Sequence, residues 1–365
     1  MMTPNSPEPA LNVLVTGGAG YIGTHMVKAL LDAGHRPVTI DNLSKGHRHL
    51  LPGGAFVQGD IGDAALLDHL FQTHAIDAVM HFAAFIEVGE SVADPLKYFR
   101  NNAAATMVLL DAMVRHKVER LIFSSTAAVY GEPRYTPIDE AHASLPTSPY
   151  GESKQFVEKM LNRVAQAHGL RFVSLRYFNA AGADPSGRIG ELHQPESHLI
   201  PLVLEAALGK RSHIKLFGTD YNTPDGTCLR DYIHVNDLVS AHLLALNHLI
   251  DGGATGDGTP YLAMEYVEGQ RIDTWCDDGH SVRDVVETAA AVTGRTIEMV
   301  AADRRPGDPA VLIADSTKIR QTLGWQPVYE ALPQIIQTAW NWARSNPWNS
   351  GHGKKEPLSE RNPSD

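Results

Sequence analysis

The chain has 365 residues, 43% of them hydrophobic and 20% charged, and carries a formal net charge of −11 at neutral pH. This length suits two compact lobes or one large α/β unit. The acidic excess and the lack of a long basic run argue against nucleic acid or an anionic membrane as a partner. The chain contains two cysteines, Cys228 and Cys276, and so few favour a reducing compartment over a disulfide scaffold.

The two ends of the chain differ in composition from the rest. Residues 1–10 and 346–365 are rich in Pro, Ser, Asn and charge, so we predict disordered tails there. The first strand is preceded by no basic stretch and no apolar stretch, so no signal peptide is predicted. No apolar run approaches the roughly 20 residues of a membrane span. We therefore expect a cytoplasmic protein without a membrane partner.

Short β-branched runs alternate with helical patterns through the first half of the chain. Strands are predicted at 12–17, 36–42, 55–61, 78–84, 120–126 and 171–179, and helices at 21–34, 63–74, about 95–116 and about 150–167. Farther on, 231–249 predicts a strand end and a helix, and 281–294 an amphipathic helix. Residues 251–280 hold seven acidic residues, one arginine and six glycines. Strands that alternate with helices predict an α/β fold with a parallel sheet wound on both faces.

A glycine-rich loop joins the first strand to the first helix. Gly17, Gly20 and Gly23 have the G-x-x-G-x-x-G spacing that permits a tight turn and close backbone approach to a pyrophosphate at a helix N-terminus. Asp41 follows Gly23 by 18 residues, at the end of the second strand, where a carboxylate accepts from the adenosine ribose and disfavours a 2′-phosphate. The alternative to a nucleotide site is a glycine-rich turn in which Asp41 only caps the end of the strand. The strand, loop and helix all follow one another at the spacing of a dinucleotide-binding unit, which argues against that alternative. We predict a Rossmann fold that binds NAD rather than NADP.

The ends of the next strands should line the same crevice. Asp60 could reach the adenine edge, and Phe82, Ala83 and Ala84 would form a backbone floor. Small residues at these strand ends could equally ease helix packing. We expect 11–180 plus about 231–250 to form the NAD-binding domain, and 181–230 plus about 251–345 to form a smaller C-terminal α/β substrate lobe, with 251–280 as an atypical acidic insertion.

A tyrosine and a lysine share one face of the helix that starts after Pro149. Tyr150 and Lys154 are four residues apart, so Lys154, together with the positive nicotinamide ring of oxidised NAD, could favour a phenolate. Lys154 could also contact the nicotinamide ribose. Tyr150 could then remove a proton from a sugar hydroxyl. Ser125 or Thr126, at the end of the preceding strand, could hydrogen-bond the same hydroxyl. A surface pair at this spacing is the alternative, and the preceding dinucleotide unit argues against it.

This set resembles the extended short-chain dehydrogenase/reductase superfamily. In its sugar-nucleotide 4,6-dehydratases acidic residues follow the threonine, and in related decarboxylases a glutamate lies nearby. Ala127 and Ala128 stand there in this chain, so the resemblance disfavours both reactions. A reductase uses the same tyrosine and lysine and stays open as an alternative. A catalytically inactive NAD-binding regulator is a third reading, against which the complete Thr126, Tyr150 and Lys154 set argues.

Longer stretches resemble the UDP-glucose 4-epimerases, from about Asn12 to about Trp325. They are TGGAGYIGTH, VGESVADPLKYFRNN, FSSTAAVYG, SPYGESK, LRYFNAAGA, GTDYNTPDGTCLRDYIHVNDL and RRPGDPAVLIAD. The resemblance implies reversible C4 epimerisation through a 4-keto sugar, with tightly bound NAD recycled each turnover. It implies a catalytic set of Thr126, Tyr150 and Lys154. It implies NAD contacts from Gly17, Gly20, Tyr21, Ile22, Gly23, Asp41, Asn42, Asp60, Ile61, Phe82, Ala83, Ala84, Asn101, Tyr150, Lys154 and Phe178. It implies UDP-sugar contacts from Thr126, Asn179, His198, Leu199, Phe217, Arg230, Arg305, Asp308 and Leu312.

Three departures from that family limit the resemblance. Ile86 and Glu87 occupy a region where the family carries a basic residue, which affects contacts to the cofactor phosphates. The family's Tyr-Asn-Leu-Gly-x-Gly stretch is absent, and 268–281 stands in its place. Leu312 lies at the family's size gate and is intermediate between a large aromatic and a small residue. It predicts UDP-glucose and UDP-galactose first, with UDP-GlcNAc/GalNAc or UDP-xylose/arabinose as alternative pairs.

Two further expectations concern metals and assembly. Eighteen histidines are present, but His47 and His49 form a loop pair with no third ligand in pattern, and neither HExxH nor CxxC occurs. No metal is therefore predicted. A homodimer is implied by the resemblance, through the helices near 95–116 and 150–167 packed as a four-helix bundle.

Overall fold

The structure is a computed structural model that describes residues 10–252, 261–262, 279–305 and 308–346. The predicted tails (1–9 and 347–365 of them), most of the acidic insertion 251–280 and Cys276 lie outside the described residues. Within the described part of the chain, no helix is both long and apolar enough to cross a membrane.

Seven parallel strands form the main sheet, in the order β3-β2-β1-β4-β5-β6-β11. They are β1 (Asn12–Thr16), β2 (Arg36–Asp41), β3 (Ala55–Gln58), β4 (Ala78–His81), β5 (Arg120–Ser124), β6 (Arg171–Arg176) and β11 (Tyr261–Leu262). The first six follow the 3-2-1-4-5-6 order of dinucleotide-binding sheets. The predicted Rossmann fold is confirmed.

Helices cover both faces of this sheet. On one face α1 (Tyr21–Asp32) and α8 (Val235–Ile250) pack over Val13 and Val15, and on the other α2 (Ala64–His74), α5 (Ala105–Arg115) and α6 (Pro149–His168) pack over Leu14. Successive strand residues point to opposite faces, so each β1 side chain reaches one of two cores. Both cores are apolar because a parallel sheet is buried on both sides.

The helix predicted at 95–116 is interrupted. It begins as α4 (Pro95–Tyr98), widens to a π-helical turn over Phe99–Ala104, and continues as α5. Such turns often occur at functional sites. Here the turn contains Asn101 and the buried Asn102, whose amide nitrogen donates to Ser153 Oγ at 3.1 Å. The π turn thus ties this helix to α6.

A third core lies beyond the main sheet. It is built by α7 (Leu199–Ala207), α9 (Val282–Thr293) and α11 (Leu332–Ser345). Short strands accompany it: β7 (Asn179–Ala181) with β10 (Tyr232–His234), β8 (Ile214–Phe217) with β13 (Met299–Ala302), and β9 (Leu229–Arg230) between β12 (His280–Ser281) and β14 (Val311–Leu312). Helices α3 (Val88–Ala93) and α10 (Thr317–Leu323) complete the described elements. The domain boundaries given above stay a prediction.

Candidate active site

The glycine loop brings the N-terminus of α1 against the ends of β1 and β4. Gly17 has φ +67°, and a Cβ there would lie 2.7 Å from the Ala83 nitrogen. A Cβ on Gly23 would lie 2.2 Å from the Gly17 oxygen, so both glycines are required by the chain's own packing. Gly20 is different, since a Cβ there would meet only the Gly17 oxygen, at 3.2 Å. It precedes α1 without a side-chain cap or an acidic first turn, which leaves N–H groups free for an anion.

Two carboxylates lie at the ends of the strands beside this loop. Asp41 is buried and accepts from the backbone nitrogens of Ala19 at 3.0 Å and Leu43 at 2.8 Å. Burial raises the pKa of Asp41, and these two backbone bonds oppose that shift. Asp60 accepts from the Asn42 amide at 2.8 Å. Both carboxylates are fixed by the loop and retain oxygen lone pairs for a polar ligand.

The remaining residues of the predicted cofactor set divide into surface and packing positions. Tyr21 donates its hydroxyl to the Gly182 oxygen at 2.7 Å, and Asn101 donates to Asn102 at 2.9 Å. The apolar members contribute to the two cores of the main sheet, where Ile61 is buried. The partly buried ones are Ile22, Phe82, Ala83 and Phe178, and Ala84 is also partly buried. These positions surround the carboxyl ends of β1, β3, β4 and β6, where doubly wound sheets bind ligands.

The predicted catalytic residues converge where β5 ends and α6 begins. Ser148 caps α6 by accepting from the Gly151 nitrogen, and Pro149 fills its first turn, which places Tyr150 and Lys154 on the sheet side. Lys154 is buried, and its Nζ donates to the Ser124 oxygen at 2.8 Å. Thr126 begins a short 3₁₀ turn two residues later. Tyr150 and Thr126 share a side-chain hydrogen bond.

Burial shifts the pKa of both members of this pair. Burial raises the pKa of the Tyr150 phenol, and the hydrogen bond with Thr126 opposes that rise. Burial lowers the pKa of Lys154 to about 7, while the Glu158 carboxylate raises it. Desolvation of the phenol thus opposes the phenolate form. The prediction that Lys154 and the positive ring of oxidised NAD together favour the phenolate concerns the NAD complex and stays a prediction.

A buried ion pair supports the catalytic strand end. Arg176 and Glu158 form a two-pronged pair at 2.9 and 2.5 Å, with side chains only 6% and 9% exposed. Ser125 donates its hydroxyl to the same carboxylate at 2.5 Å. Glu158 lies one turn after Lys154 on α6, so the pair joins the catalytic helix to the end of β5.

Replacing Glu158 by glutamine should lower the free energy of unfolding by about 3–5 kcal/mol, because the guanidinium of Arg176 would stay buried without a counter-charge. Urea unfolding followed by circular dichroism measures this. The control is Glu205→Gln, in the exposed pair with Arg211, which should change stability by at most about 1 kcal/mol. Equal losses in the two variants would refute the account of the buried pair.

The predicted UDP residues meet around β9. Arg230 and Asp308 form an ion pair, with side chains 12% and 30% exposed. Leu312 lies opposite Arg230 in the parallel β9–β14 ladder. Asp231, the next residue along the chain, accepts from the Ala314 nitrogen at 2.7 Å. Arg230 is therefore held by a residue 78 positions away.

Two further members of this set lie on neighbouring elements. The Arg305 guanidinium lies 4.0 Å from the centre of the Phe217 ring, which is a cation–π distance. Asn179, the first residue of β7, donates its amide to the Asp231 backbone oxygen at 2.8 Å, just before β10 begins. Arg305 and Phe217 thus form a cationic and aromatic pair beside the β8–β13 ladder.

His198 and Leu199 lie where the β7–α7 segment enters α7. Leu199 packs against the third core, and His198 Nδ1 lies 2.7 Å from Glu191 Oε1. The Glu191 and Glu196 carboxylates raise the pKa of His198 against burial, and His198 lowers the pKa of Glu191. Glu87, where a basic residue was expected, accepts from Ser197 Oγ at 2.9 Å.

Several supporting residues were missed by sequence reasoning. Asn102, Glu158 and Arg176 are buried polar groups whose partners are distant in sequence, and only the fold reveals those partners. Glu191 and Glu196 belong to a segment that no known motif marks. A charged residue such as Glu158 on the core-facing side of a predicted helix was the available signal for a buried ion pair, since a buried charge needs a partner.

Comparison with known proteins agrees with this geometry. The profile of the NAD dependent epimerase/dehydratase family matches residues 13–257. A UDP-glucose 4-epimerase of Halalkalibacterium halodurans is 50% identical over 92% of this chain and 96% of that protein. A UDP-glucose 4-epimerase of Brucella ovis, solved with NAD, superposes with a TM-score of 0.83 at 47% identity, over 91% of this chain and 98% of that chain.

A third relative was solved with two ligands. The UDP-glucose 4-epimerase of Bifidobacterium longum, in complex with NAD⁺ and UDP, is 37% identical with a TM-score of 0.84, over 93% of this chain and 99% of that chain. The resemblance drawn from the sequence motifs is confirmed by these matches. The chain belongs to the NAD dependent epimerase/dehydratase family, among the UDP-glucose 4-epimerases.

Proposed function

We propose that this protein interconverts UDP-glucose and UDP-galactose by inverting C4 of the hexose through a transient 4-keto sugar. The observation that carries the proposal is the convergence of Thr126, Tyr150 and Lys154 in a chain 50% identical to a UDP-glucose 4-epimerase. Elimination of water lacks its acid, because Ala127 and Ala128 follow Thr126. Glu158, whose carboxylate accepts from Ser125, is already paired with Arg176 and so does not supply that acid.

The ligand-free crevice fits NAD. The uncapped N-terminus of α1 supplies free N–H groups for a pyrophosphate, and the fixed carboxylate of Asp41 suits ribose hydroxyls and repels a 2′-phosphate. We assign the contacts to Gly17, Gly20, Tyr21, Ile22, Gly23, Asp41, Asn42, Asp60, Ile61, Phe82, Ala83, Ala84, Asn101, Tyr150, Lys154 and Phe178. When bound there, NAD accepts a hydride from C4 and gives it back. We place this site in a domain of 11–180 plus about 231–250.

Tyr150 moves the proton of the sugar's 4-hydroxyl. Its phenol is protonated in the ligand-free protein, and Thr126 shares a hydrogen bond with it. Thr126 can hold the 4-oxygen while Tyr150 removes its proton and later returns it. Lys154 keeps two N–H groups beyond the one that bonds the Ser124 oxygen, so it can serve a ribose hydroxyl. The same groups serve both directions, as reversible chemistry requires.

The UDP moiety is held firmly while the hexose turns. We assign Arg230 and Arg305 to the diphosphate, because arginine suits phosphate oxygens in charge and geometry. Asp308 accepts from the uridine ribose, and Phe217, Asn179, His198 and Leu199 complete the site. These residues lie in a lobe of 181–230 plus about 251–345. A loosely held hexose can then present either face of C4 to the catalytic residues.

Incubation of purified protein with UDP-galactose and no added cofactor tests the proposal. We expect UDP-glucose without net NADH, detected by chromatography and absorbance. Net NADH would indicate a dehydrogenase or reductase, and a deoxy-keto sugar would indicate a dehydratase. If folded protein supplied with NAD converts no UDP-galactose, the result would favour a catalytically inactive NAD-binding regulator. Each of these outcomes contradicts the proposed function.

Leu312 sets the space available beside the hexose. Replacing it with alanine should raise the turnover of UDP-N-acetylgalactosamine relative to UDP-galactose by about tenfold. A smaller side chain makes room for the acetyl group, and one methylene more or less in a hydrophobic pocket changes discrimination by about 1–3 kcal/mol. The control is Val311→Ala, because its side chain points to the other face of β14. Competition assays with both sugars measure the ratio. An unchanged ratio in Leu312→Ala would remove this residue as the size gate.

We propose a homodimer formed through the exposed apolar face around α4, α5 and α6. Met107 is 56% exposed and Phe156 52%, and with Phe99 and Leu145 they line a groove of about 820 Å³. Apolar patches of this kind mark interaction sites. Two helices from each copy would pack as a four-helix bundle, and the second copy is therefore the occupant.

Replacing both Met107 and Phe156 by glutamate should convert the dimer to a monomer of about 39.7 kDa, because the symmetric contact would bury four charges. Light scattering coupled to gel filtration measures the mass. The control is Val328→Glu, since this residue is 73% exposed and lies on another surface. A monomeric unmodified protein, or a double variant that stays dimeric, would refute this interface.

We also propose a cytoplasmic location. The described cysteine, Cys228, is free and buried, and a chain with two cysteines needs no oxidising compartment. Fractionation of the source cells with an antibody to the protein would test the location, and recovery in a secreted fraction would contradict it.

A further inference from the structure

Four metal-ligating side chains gather on the segment that leads from β7 into α7. Glu191, His193, Glu196 and His198 have the pattern E-x-H-x-x-E-x-H, and one ligand atom from each lies within 4.8 Å of the others. We propose that they form a binding site for one divalent zinc-type ion. This revises the prediction of no metal, which rested on known motifs that the pattern does not match.

The separations suit a tetrahedral ion. His193 Nδ1 and His198 Nδ1 lie 3.0 and 2.7 Å from Glu191 Oε1, and His198 Nδ1 lies 3.3 Å from Glu196 Oε1. Ligands about 2.0–2.1 Å from zinc in tetrahedral geometry are about 3.3–3.5 Å from one another. Binding would move the two closest pairs apart by a few tenths of an ångström and draw inward any ligand atoms spaced more widely, all of which lie within 4.8 Å of one another.

The chemistry of the four groups also suits such an ion. Imidazole and carboxylate are ligands that zinc accepts, and two carboxylates with two neutral imidazoles balance a charge of +2. The Glu191 and Glu196 side chains are only 6% and 9% exposed and are paired with His193 and His198, so a bound cation would replace this pairing as their counter-charge. His198 Nδ1 faces both carboxylates, 2.7 Å from Glu191 Oε1 and 3.3 Å from Glu196 Oε1, so an ion bound at this point would take the place of the His198 proton.

The ion would have a structural role. Four protein ligands leave no open position for substrate. The segment that carries them contacts the loops after β2 and β4, because the Leu192 oxygen lies 2.8 Å from His47 Nε2 and Ser197 bonds Glu87. The site would therefore fix the entry to α7 relative to the main sheet. The inference does not depend on the proposed epimerase activity.

Zinc titration of the chelator-treated full-length protein tests the site, with elemental analysis of the bound metal. We expect one equivalent of zinc per chain, and visible absorption typical of tetrahedral coordination when Co²⁺ replaces it. His193→Gln and Glu196→Gln should each weaken zinc binding by at least about tenfold, as loss of groups around a metal typically does. The control is His69→Gln, an exposed histidine on α2, which should bind as the unmodified protein does.

Three results would overturn the site. They are the absence of a saturable zinc equivalent, zinc binding by both variants equal to that of the unmodified protein, and equal weakening in His69→Gln, which would indicate adventitious surface binding. Circular dichroism establishes that each variant is folded. If neither variant folds, the Co²⁺ spectrum of the unmodified protein decides, because octahedral bands or none would contradict tetrahedral ligation.

Discussion

Replacing Tyr150 by phenylalanine should lower kcat for UDP-galactose epimerisation by about 10²–10⁴-fold, the contribution typical of a positioned acid–base group. The change removes only the phenol oxygen, so the helix cap at Ser148 and the bond from Lys154 to the Ser124 oxygen stay in place. UDP binding should change little, because Arg230 and Asp308 lie on other elements. Steady-state kinetics with both substrates, and isothermal titration with UDP, measure these effects.

Tyr135→Phe is the matched control for this substitution. The Tyr135 hydroxyl donates to the Asp139 carboxylate at 2.7 Å, on an exposed segment away from Lys154. The variant should keep the activity of the unmodified protein. A Tyr150→Phe enzyme that keeps a third or more of kcat would show that another group carries the proton, and Thr126 would be the first candidate.

Replacing Arg230 by alanine should raise KM for UDP-galactose by at least about 30-fold with a much smaller change in kcat. Arg230 is partly buried, and removing one partner of a desolvated, hydrogen-bonded charge pair such as arginine with a bound diphosphate costs about 2–5 kcal/mol. UDP is gripped alike in the ground and transition states. Such uniform binding appears in KM rather than in kcat. The same experiment with Asp308→Asn should give a smaller rise, because that amide can still accept from the ribose.

Arg304→Ala provides the control for charge alone. Arg304 pairs with Asp220 at 2.7 Å, and both side chains are well exposed, so its loss removes a positive charge from the same surface without a buried partner. We expect KM within about twofold of that of the unmodified protein, as for other exposed pairs. A comparable rise in both variants would mean that long-range attraction, rather than the Arg230 contact, accounts for binding.

Local pattern predicted much of the fold. The alternation of β-branched runs and helices located the first six strands of the main sheet, and the glycine spacing located the turn into α1. These features depend on residues close in sequence, which set strand period, helix caps and tight turns. The break over Phe99–Ala104 was not predicted, because apolar periodicity continues through it while the buried Asn102 demands a partner on α6.

Long-range pairing limited the prediction of the site. Resemblance supplied Arg230 and Asp308 as separate residues, and only the folded chain shows that their side chains pair with each other. Burial of the Tyr150 phenol, which raises its pKa, depends on the folded chain and does not follow from a helical spacing rule. The carboxylates of Glu191 and Glu196 have no local signature, since the turn that gathers them with two histidines is set by contacts to the main sheet.

The central claim is that the hydrogen at C4 of the hexose leaves and returns within one active site. Incubation of the purified protein with UDP-galactose deuterated at C4, in ordinary water with added unlabelled NADH, tests it most directly. Mass spectrometry and NMR of the product should find UDP-glucose with the deuterium retained at C4. Deuterium lost to water or exchanged into the added NADH, or a product changed at another carbon, would contradict the account.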